Sequence, residues 1–431
     1  MDIKKHYDCP IRMEGGKALR GTVYIQGSKN ASLPILAACT MIPGKSILHQ
    51  CPDITDVHDM IKIIEAAGGI IEKDGHTIQI DATSMNESRM PSRYVRRMRS
   101  SVIMLGALLS RMQKVCIDYP GGCVIGERPI DLHLQALQKL GAEIETQGCY
   151  ICASAKRLKG AHIVFPFSSV GATQNVVMAA ALAKGITQIE NAAKEPEVVE
   201  LCRFLNKAGA KITGIGTSFL QIEGVDTLHE VEYTIVPDRI VAGTYLFAAV
   251  GTGGTITLQN APIDHLQCVT EVIRQMGAKV WTDEQKGTLT LQTTGHMHNV
   301  ARIETDVYPG FPTDLQSSLL TAACVVPGEM YLCEHIFSAR FKIVEELIRM
   351  GADICVDHDC ALVRGGQQLV GRNVIAKELR GGAALVAAGL SAQGITIVMD
   401  TCYIHRGYEN IERDLVALGA KISKCDERDL F

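Results

Sequence analysis

The stretch DLHLQALQKLGAEIETQ, residues 131–147, runs from an amphipathic segment through a glycine into alternating apolar and polar residues. Its phrase LGAEI at 140 recurs in close variants: AGGII at 67, AGAKI at 208, MGAKV at 276, MGADI at 350 and LGAKI at 418. The six glycines stand at 68, 141, 209, 277, 351 and 419, separated by 73, 68, 68, 74 and 68 residues. Spacing held this closely marks a structural repeat rather than chance.

Each phrase follows an amphipathic run such as IERDLVAL and precedes alternating segments such as KVWTDEQKGTLTLQ. A helix closed by a glycine and running into a β-hairpin accounts for that order. Upstream in every unit lies a second helix candidate with small and apolar residues on nearly every side: ASLPILAACTM, SSVIMLGALLS, GATQNVVMAAALA, IVAGTYLFAAV, DLQSSLLTAACV and GGAALVAAGLSA. A helix apolar all round has to be buried. A β-rich run comes next in each case (KSILHQ, KVCIDY, ITQIEN, TITLQN, MYLCEH, ITIVMD), so the unit reads helix, strand, helix, strand, strand. Solenoid repeats are shorter, roughly 20 to 45 residues. The expected fold class is therefore α/β, with two domains of three units each wrapping sheets around buried helices.

Length agrees, since 431 residues exceed what one hydrophobic core usually serves. With 47% hydrophobic and 21% charged residues and a formal net charge of −4, the composition is that of a globular protein, not of a nucleic-acid-coating or disordered one. No apolar segment is long enough to span a bilayer, and the N-terminal residues lack a signal-peptide core, so a cytoplasmic location is expected. The fifteen cysteines lack paired spacing, and Cys39, Cys116, Cys324 and Cys333 sit inside apolar runs, where a thiol behaves as a small hydrophobe. No disulfide is expected in a reducing compartment. The lone CxxC pair, Cys149 and Cys152, has no second pair to complete a zinc site, so no metal is expected.

Polar residues gather where the buried helices begin: Lys29 with Asn30, Arg99, Ser169 with Thr173, Asp238 with Arg239, Thr313 with Asp314, and Arg380. Three further arginines, Arg128, Arg340 and Arg406, precede the exposed helices. Any one arginine near a turn is as readily solvated or paired with a local carboxylate. Together, cations at the N-terminal ends of buried helices point to a substrate carrying several negative groups.

Cys123 stands apart from the other cysteines. The loop from KVCIDY to Asp131 is about eight residues longer than its counterpart in the fourth unit, and extra length within one repeat marks function. Gly121, Gly122 and Gly126 give that loop the freedom of a lid, and Arg128 favours a thiolate. A buried structural cysteine needs none of this.

The motifs GSKNASLPILAA, MRSSVIMLGAL, PGGCVIGERPIDLHL, SVGATQN, PDRI, FPTDLQ, ELR and HRGYENIE, in this order over the whole chain, resemble the UDP-N-acetylglucosamine 1-carboxyvinyltransferases, enolpyruvyl transferases related to 5-enolpyruvylshikimate-3-phosphate synthase. The resemblance implies two inside-out α/β barrels, one formed by residues 1–28 plus 237–431 and the other by 29–236, with substrates held in the cleft between them. It implies transfer of the enolpyruvyl group of phosphoenolpyruvate to the 3′-hydroxyl of UDP-N-acetylglucosamine with release of phosphate, the first committed step of peptidoglycan precursor synthesis. Both partners are small molecules, and no cofactor, nucleic acid or membrane is implied.

By the same resemblance Cys123 protonates the methylene carbon of phosphoenolpyruvate, can form a covalent adduct at C2, and is the thiol that fosfomycin modifies. Asp314 accepts the proton of the sugar hydroxyl. Lys29, Arg128 and Arg406 hold the carboxylate and phosphate, with Arg340 and Arg380 completing the cage. Contacts to the nucleotide sugar carry over onto Asn30, Arg99, the segment Arg128, Pro129, Ile130, Asp131 and Leu132, the segment Ser168, Ser169, Val170 and Gly171, and onto Asp314 and Ile336. Departures from the usual pattern fall at Glu127, Val241, Glu378, Gly381, Gly382, Tyr403 and His405. They motivate two alternatives: a transferase with another nucleotide or sugar acceptor, and a non-catalytic sensor of the nucleotide sugar.

Overall fold

A computed structural model describes residues 9–121, 125–126 and 129–425. The chain divides into two compact units: the first comprises residues 9–26, 125–126 and 237–425 of the described chain, the second the rest from Gly27 to Val236.

The repeat glycines fix the local geometry in both. Gly68, Gly141, Gly209, Gly277, Gly351 and Gly419 all have positive φ, between 85° and 103°. Each follows an outer helix: Thr55–Ala66, Asp131–Lys139, Pro196–Lys207, Gln267–Gln275, Val344–Arg349 and Ile411–Ala417. The glycine N–H returns to the carbonyl three residues back at 2.9 or 3.0 Å. The next N–H reaches the carbonyl five residues back at 2.9 to 3.2 Å. This paired closure satisfies carbonyls that the helix end leaves unbonded. A side chain at these positions would carry the left-handed penalty of about 1–2 kcal/mol.

Five of the six closures lead into antiparallel hairpins, for example Ile70–Asp74 with Thr77–Asp81 and Lys279–Asp283 with Thr288–Gln292. The sixth strand, Lys421–Lys424, pairs instead with Ile11–Glu14, which also pairs with Ile395–Met399.

Each unit holds three sheets. One strand in most of them has no counterpart in the unit expected from sequence. Val231–Thr234, Arg20–Tyr24, Arg302–Glu304, Asn373–Ile375 and His162–Val164 run parallel to the strand that follows a buried helix. In three repeats, those opening with His162–Val164, Arg302–Glu304 and Asn373–Ile375, the buried helix is thus the crossover of a β-α-β unit and the repeat reads strand, helix, strand, helix, strand, strand, whereas Arg20–Tyr24 and Val231–Thr234 each pair with a strand reached through another buried helix. Three of these strands are three residues long and mostly exposed, so they carry no readable alternation.

The buried helices are those read from the sequence. In Arg239–Thr252 every residue through Val250 is buried, and in Leu379–Ser391 every residue through Leu390. Lys29–Cys39, Val170–Ala181 and Gln316–Val325 are buried over nearly all their length, and Met104–Met112 as far as Leu109. Four begin with a side-chain cap: Ser28, Ser169, Asp238 and Glu378 accept first-turn N–H groups. Helix Met104–Met112 instead takes an acceptor from a neighbour, the Asn175 Oδ1 that receives Gly106 N–H at 2.7 Å. Each such bond removes a buried unsatisfied donor, worth about 1–3 kcal/mol.

Two departures noted in the sequence explain each other at one of these caps. Glu378 bonds Arg380 N at 2.8 Å and also Gly381 N. A Cβ at residue 381 would stand 2.6 Å from Glu378 Oε1. The longer carboxylate occupies the room a side chain would need. Gly382 is confined in the same way, its Cβ direction meeting Ile404 and Ala376 within 3.0 Å.

The expectation of no disulfide is corrected. Cys116 is joined to Cys152 and Cys333 to Cys360, with Cα separations of 4.1 and 4.0 Å. Both pairs lie directly opposite each other on neighbouring antiparallel strands. Register, not sequence spacing, brings them together, and a separation of 36 or 27 residues gives no signal of it. Cys39 and Cys324 remain buried thiols, which burial pushes up to a pKa of about 12.

Two outcomes follow. Alkylation in denaturant without reductant should leave Cys116, Cys152, Cys333 and Cys360 unmodified and label the other cysteines, as read by peptide mass spectrometry. Gly381→Ala should destabilise unit one by about 1–3 kcal/mol through overpacking. Shortening the cap with Glu378→Asp should recover most of that loss, a coupling that denaturant unfolding of both single variants and the pair measures.

Candidate active site

In unit two, Lys29 opens a buried helix behind its Ser28 cap. Its ammonium is itself buried and faces Asp56 Oδ2 at 2.9 Å. Asp56 belongs to the first turn of helix Thr55–Ala66, where a carboxylate is favoured by the helix dipole. Asn30, next along, is half-buried. Sequence reasoning named Lys29 but not Asp56, which stands far along the chain in a run whose aspartates look like ordinary first-turn residues.

Arg99 begins the turn Arg99–Ile103 and is half-buried, with its pKa pushed down by loss of solvent. Close by, Arg96 Nε donates to Asp118 Oδ2 at 2.8 Å. Burial raises the Asp118 pKa, yet the hydrogen bonds of Arg96, Ser92 and Tyr119 N–H outweigh it and hold the carboxyl below its usual range. Asp118 ends the strand from which the cysteine loop departs. Three residues on, a Cβ at Gly121 would fall 1.7 Å from Arg96 O, so the backbone here lies flush against that carbonyl. Cys123, Arg128 and Glu127 lie outside the described residues.

Beyond the loop, Pro129 is exposed and Ile130 fully buried, while Asp131 and Leu132 start the outer helix Asp131–Lys139. Ser168, Ser169, Val170 and Gly171 are all half-buried, and the next residue after Leu132, buried His133, lies against the last of them: a Cβ at Gly171 would stand 2.9 Å from His133 Cε1. Asn175 Nδ2 donates to Val102 O at 3.0 Å and to His133 Nδ1 at 2.7 Å. With Nδ1 accepting, neutral His133 carries its proton on Nε2. The structure thus brings together the two segments expected to hold the nucleotide sugar, joined by His133 and Asn175, which the sequence did not single out.

Unit one carries the densest charge. Asp314 sits in the turn Thr313–Leu315 ahead of a buried helix and has a guanidinium on each oxygen. Arg340 Nη2 bonds Oδ1, and Arg380 Nη2 bonds Oδ2 at 3.1 Å. Both arginines are 4% exposed. Burial would lower the Arg380 pKa, but Asp314, Tyr408 and Asp238 raise it overall. Removing one partner from such a buried cluster costs about 3–5 kcal/mol.

Arg340 also donates through Nε to Thr313 Oγ1 at 3.2 Å, and its Nη1 lies 3.8 Å from Glu378 Oε2. Thr313 in turn donates to Glu334 at 2.9 Å. Ile336, half-buried, is held through its N–H by Glu334 at 2.8 Å. Arg380 lies over the Tyr408 ring at 5.8 Å, and the Tyr408 hydroxyl meets Thr244 at 2.8 Å.

Asp238 caps its helix by bonding Ile240 N and Val241 N, so Val241 serves the cap through its backbone while its side chain is buried. Arg406 closes the turn Thr401–Arg406, half-buried like Tyr403 and His405 within it. Gln26 secures the residues just after, donating to Gly407 O at 3.2 Å and accepting from Glu409 N at 2.9 Å. Ile125 and Gly126 also belong to this unit: Ala339 N–H donates to Ile125 O at 3.2 Å.

Chemically, unit one offers a carboxylate clasped by two cations that an anionic ligand could claim, and unit two offers a buried ammonium. Among the described residues no group of His, Cys, Asp and Glu is placed to hold a metal ion, and no helix is long and apolar enough to cross a membrane.

Comparison with known proteins shows the family and the fold. The sequence profile of the family described as EPSP synthase (3-phosphoshikimate 1-carboxyvinyltransferase) matches residues 13–415. The chain is 47% identical over 412 residues to UDP-N-acetylglucosamine 1-carboxyvinyltransferase 2 of Caldanaerobacter subterraneus subsp. tengcongensis, covering 96% of this chain and 98% of that one. It is 45% identical over 415 residues to UDP-N-acetylglucosamine 1-carboxyvinyltransferase of Oleidesulfovibrio alaskensis, covering 96% and 99%. Among solved structures, the enolpyruvyl transferase NikO from Streptomyces tendae superposes with a TM-score of 0.85 at 24% identity, over 96% of this chain and 98% of that one. EPSP synthase from Acinetobacter baumannii gives 0.76 at 18% identity, over 97% and 100%. These two establish a shared mixed α/β fold. The chain belongs to the carboxyvinyltransferase family that EPSP synthase and these relatives make up.

Proposed function

We propose that the chain transfers the enolpyruvyl group of phosphoenolpyruvate to the 3′-hydroxyl of UDP-N-acetylglucosamine and releases inorganic phosphate, the first committed step of peptidoglycan precursor synthesis. The observation that carries the reading is Asp314 held between Arg340 and Arg380, in a chain nearly half identical to a protein of that name. A proton acceptor and two buried cations within one cluster suit a reaction between a hydroxyl and a doubly anionic ester.

In this scheme the Cys123 thiol gives its proton to the methylene carbon of phosphoenolpyruvate, while the sugar 3′-oxygen bonds to C2 and its proton passes to Asp314. Phosphate then leaves C2 with the C–O electron pair, and the Cys123 thiolate takes back a methyl proton as the C=C bond re-forms. Cys123 can instead add to C2 and hold the three-carbon unit covalently. Lys29, Arg128 and Arg406 bind the carboxylate and phosphate, with Arg340 and Arg380. An arriving anion competes with Asp314 for those two guanidiniums, and a carboxylate that loses its cations becomes the better base. Asp56 keeps Lys29 extended and charged. Asn30, Arg99, the segments 128–132 and 168–171, and Ile336 hold the nucleotide sugar.

The architecture supports the same reading. With three sheets and three buried helices apiece, each unit is read as an inside-out α/β barrel of three repeats, bounded near residues 28 and 236. A cytoplasmic location goes with these substrates. Two of the departures that suggest another acceptor, Glu378 and Gly381, fit each other at a helix cap and require no change of substrate.

Purified protein given both substrates should release phosphate only when the sugar nucleotide is present, and Cys123→Ala should release little. Asp314→Asn should lower kcat by roughly 10²–10⁴-fold, the usual worth of a general base, with a smaller change in KM. Release independent of the sugar nucleotide, or a clear preference for another acceptor in a panel, would overturn the assignment.

A further inference from the structure

Glu334 is buried, 3% exposed, and among the described residues pairs with no cation. A lone buried carboxylate is costly unless its lone pairs are used. Here both oxygens are. Oε1 accepts the N–H groups of Ile336 at 2.8 Å and Phe337 at 3.1 Å. Oε2 accepts the Thr313 hydroxyl at 2.9 Å.

That last bond sets a direction. A hydroxyl has one proton, and Thr313 commits it to Glu334, which leaves its oxygen as an acceptor for Arg340 Nε–H at 3.2 Å. With Nε anchored, the planar guanidinium can present Nη2 to Asp314 and Nη1 toward Glu378. The other oxygen fixes the backbone at Ile336. A glutamine in place of Glu334 could keep the backbone bonds, but its amide would donate where the Thr313 proton needs an acceptor.

We propose that Glu334 is a positioning residue for the transfer reaction, fixing the Ile336 backbone with one oxygen and, through Thr313, the Arg340 guanidinium beside Asp314 with the other. The inference rests on the function proposed above for its kinetic consequence, though not for the relay itself. It acts without touching the substrate.

The test uses the full-length chain with Glu334→Gln, Thr313→Val, Thr313→Ser and the Gln/Val double variant. Misplacement of a reacting group by about 1 Å costs roughly 10²-fold in rate. Glu334→Gln and Thr313→Val should each lower kcat by about 10- to 100-fold, on the scale of such a misplacement. The KM for UDP-N-acetylglucosamine should move far less, and Thr313→Ser should restore kcat. The double variant should lose no more than the worse single, because both break one relay. Independently of activity, the Arg340 Nε–H resonance in a ¹⁵N–¹H spectrum should be slowly exchanging in the wild type and in Thr313→Ser, and lost or shifted in Thr313→Val and Glu334→Gln. Thermal unfolding controls for folding.

Single-variant kcat within twofold of wild type, multiplying losses in the double variant, or an unchanged Arg340 signal would each overturn the proposal. If the wild type releases no phosphate, the reaction assignment falls, and the resonance arm alone decides whether Glu334 positions Arg340.

Discussion

Six helices with no polar side can lie only where water is excluded, and each must then give its first-turn N–H groups to something other than water. The rest of the molecule answers that demand. Ser28, Ser169, Asp238 and Glu378 supply the acceptors directly, and Asn175 supplies one from a neighbouring helix. Polar residues are therefore drawn to the N-terminal ends of the buried helices for structural reasons. The same ends are where a negatively charged ligand is welcomed. The helix starts thus hold both caps and cations: Lys29 follows Ser28, Arg239 follows Asp238 and Arg380 lies two residues beyond Glu378.

Charge pairing then adjusts what the caps assemble. Lys29 is paired with Asp56, while Arg340 and Arg380 share the single carboxylate of Asp314 and are offset only in part. A guanidinium or ammonium left alone at this depth would be expensive. In the proposed reaction an incoming phosphate or carboxylate would use these cations by displacing a resident carboxylate. In unit one that carboxylate is Asp314, the proposed base, so anion binding and base strength are coupled through the same two arginines.

What could be read in the sequence had a local physical cause. The six glycines were legible because glycine accepts the left-handed backbone that closes those helices at the least cost, and the uniform apolarity of the core helices could mean only burial. The short parallel strands were not legible: HIV at 162 and RIE at 302 are too brief to carry a period. Neither were the disulfides, since cross-strand register is a property of the folded sheet. Of the site, Lys29, Asp314, Arg340 and Arg380 stood out by position before or within helix starts. Asp56, His133, Asn175 and Glu334 did not, because each serves a partner from another segment. Glu334 looks like any polar residue after a strand until Thr313 and Ile336 are seen on its two oxygens.

The pairing of Ile11–Glu14 between Ile395–Met399 and Lys421–Lys424 has a consequence for how the chain is made. Unit two is continuous in sequence apart from the cysteine loop and is complete once the ribosome has passed Val236. Ile11–Glu14 is synthesised long before its two partner strands, Ile395–Met399 and Lys421–Lys424, and waits with its edges unpaired until both have been made. Until then the nascent chain carries a strand with both edges open. Its two charged residues, half-buried Arg12 and exposed Glu14, limit the chance association of that strand with its neighbours on the polysome.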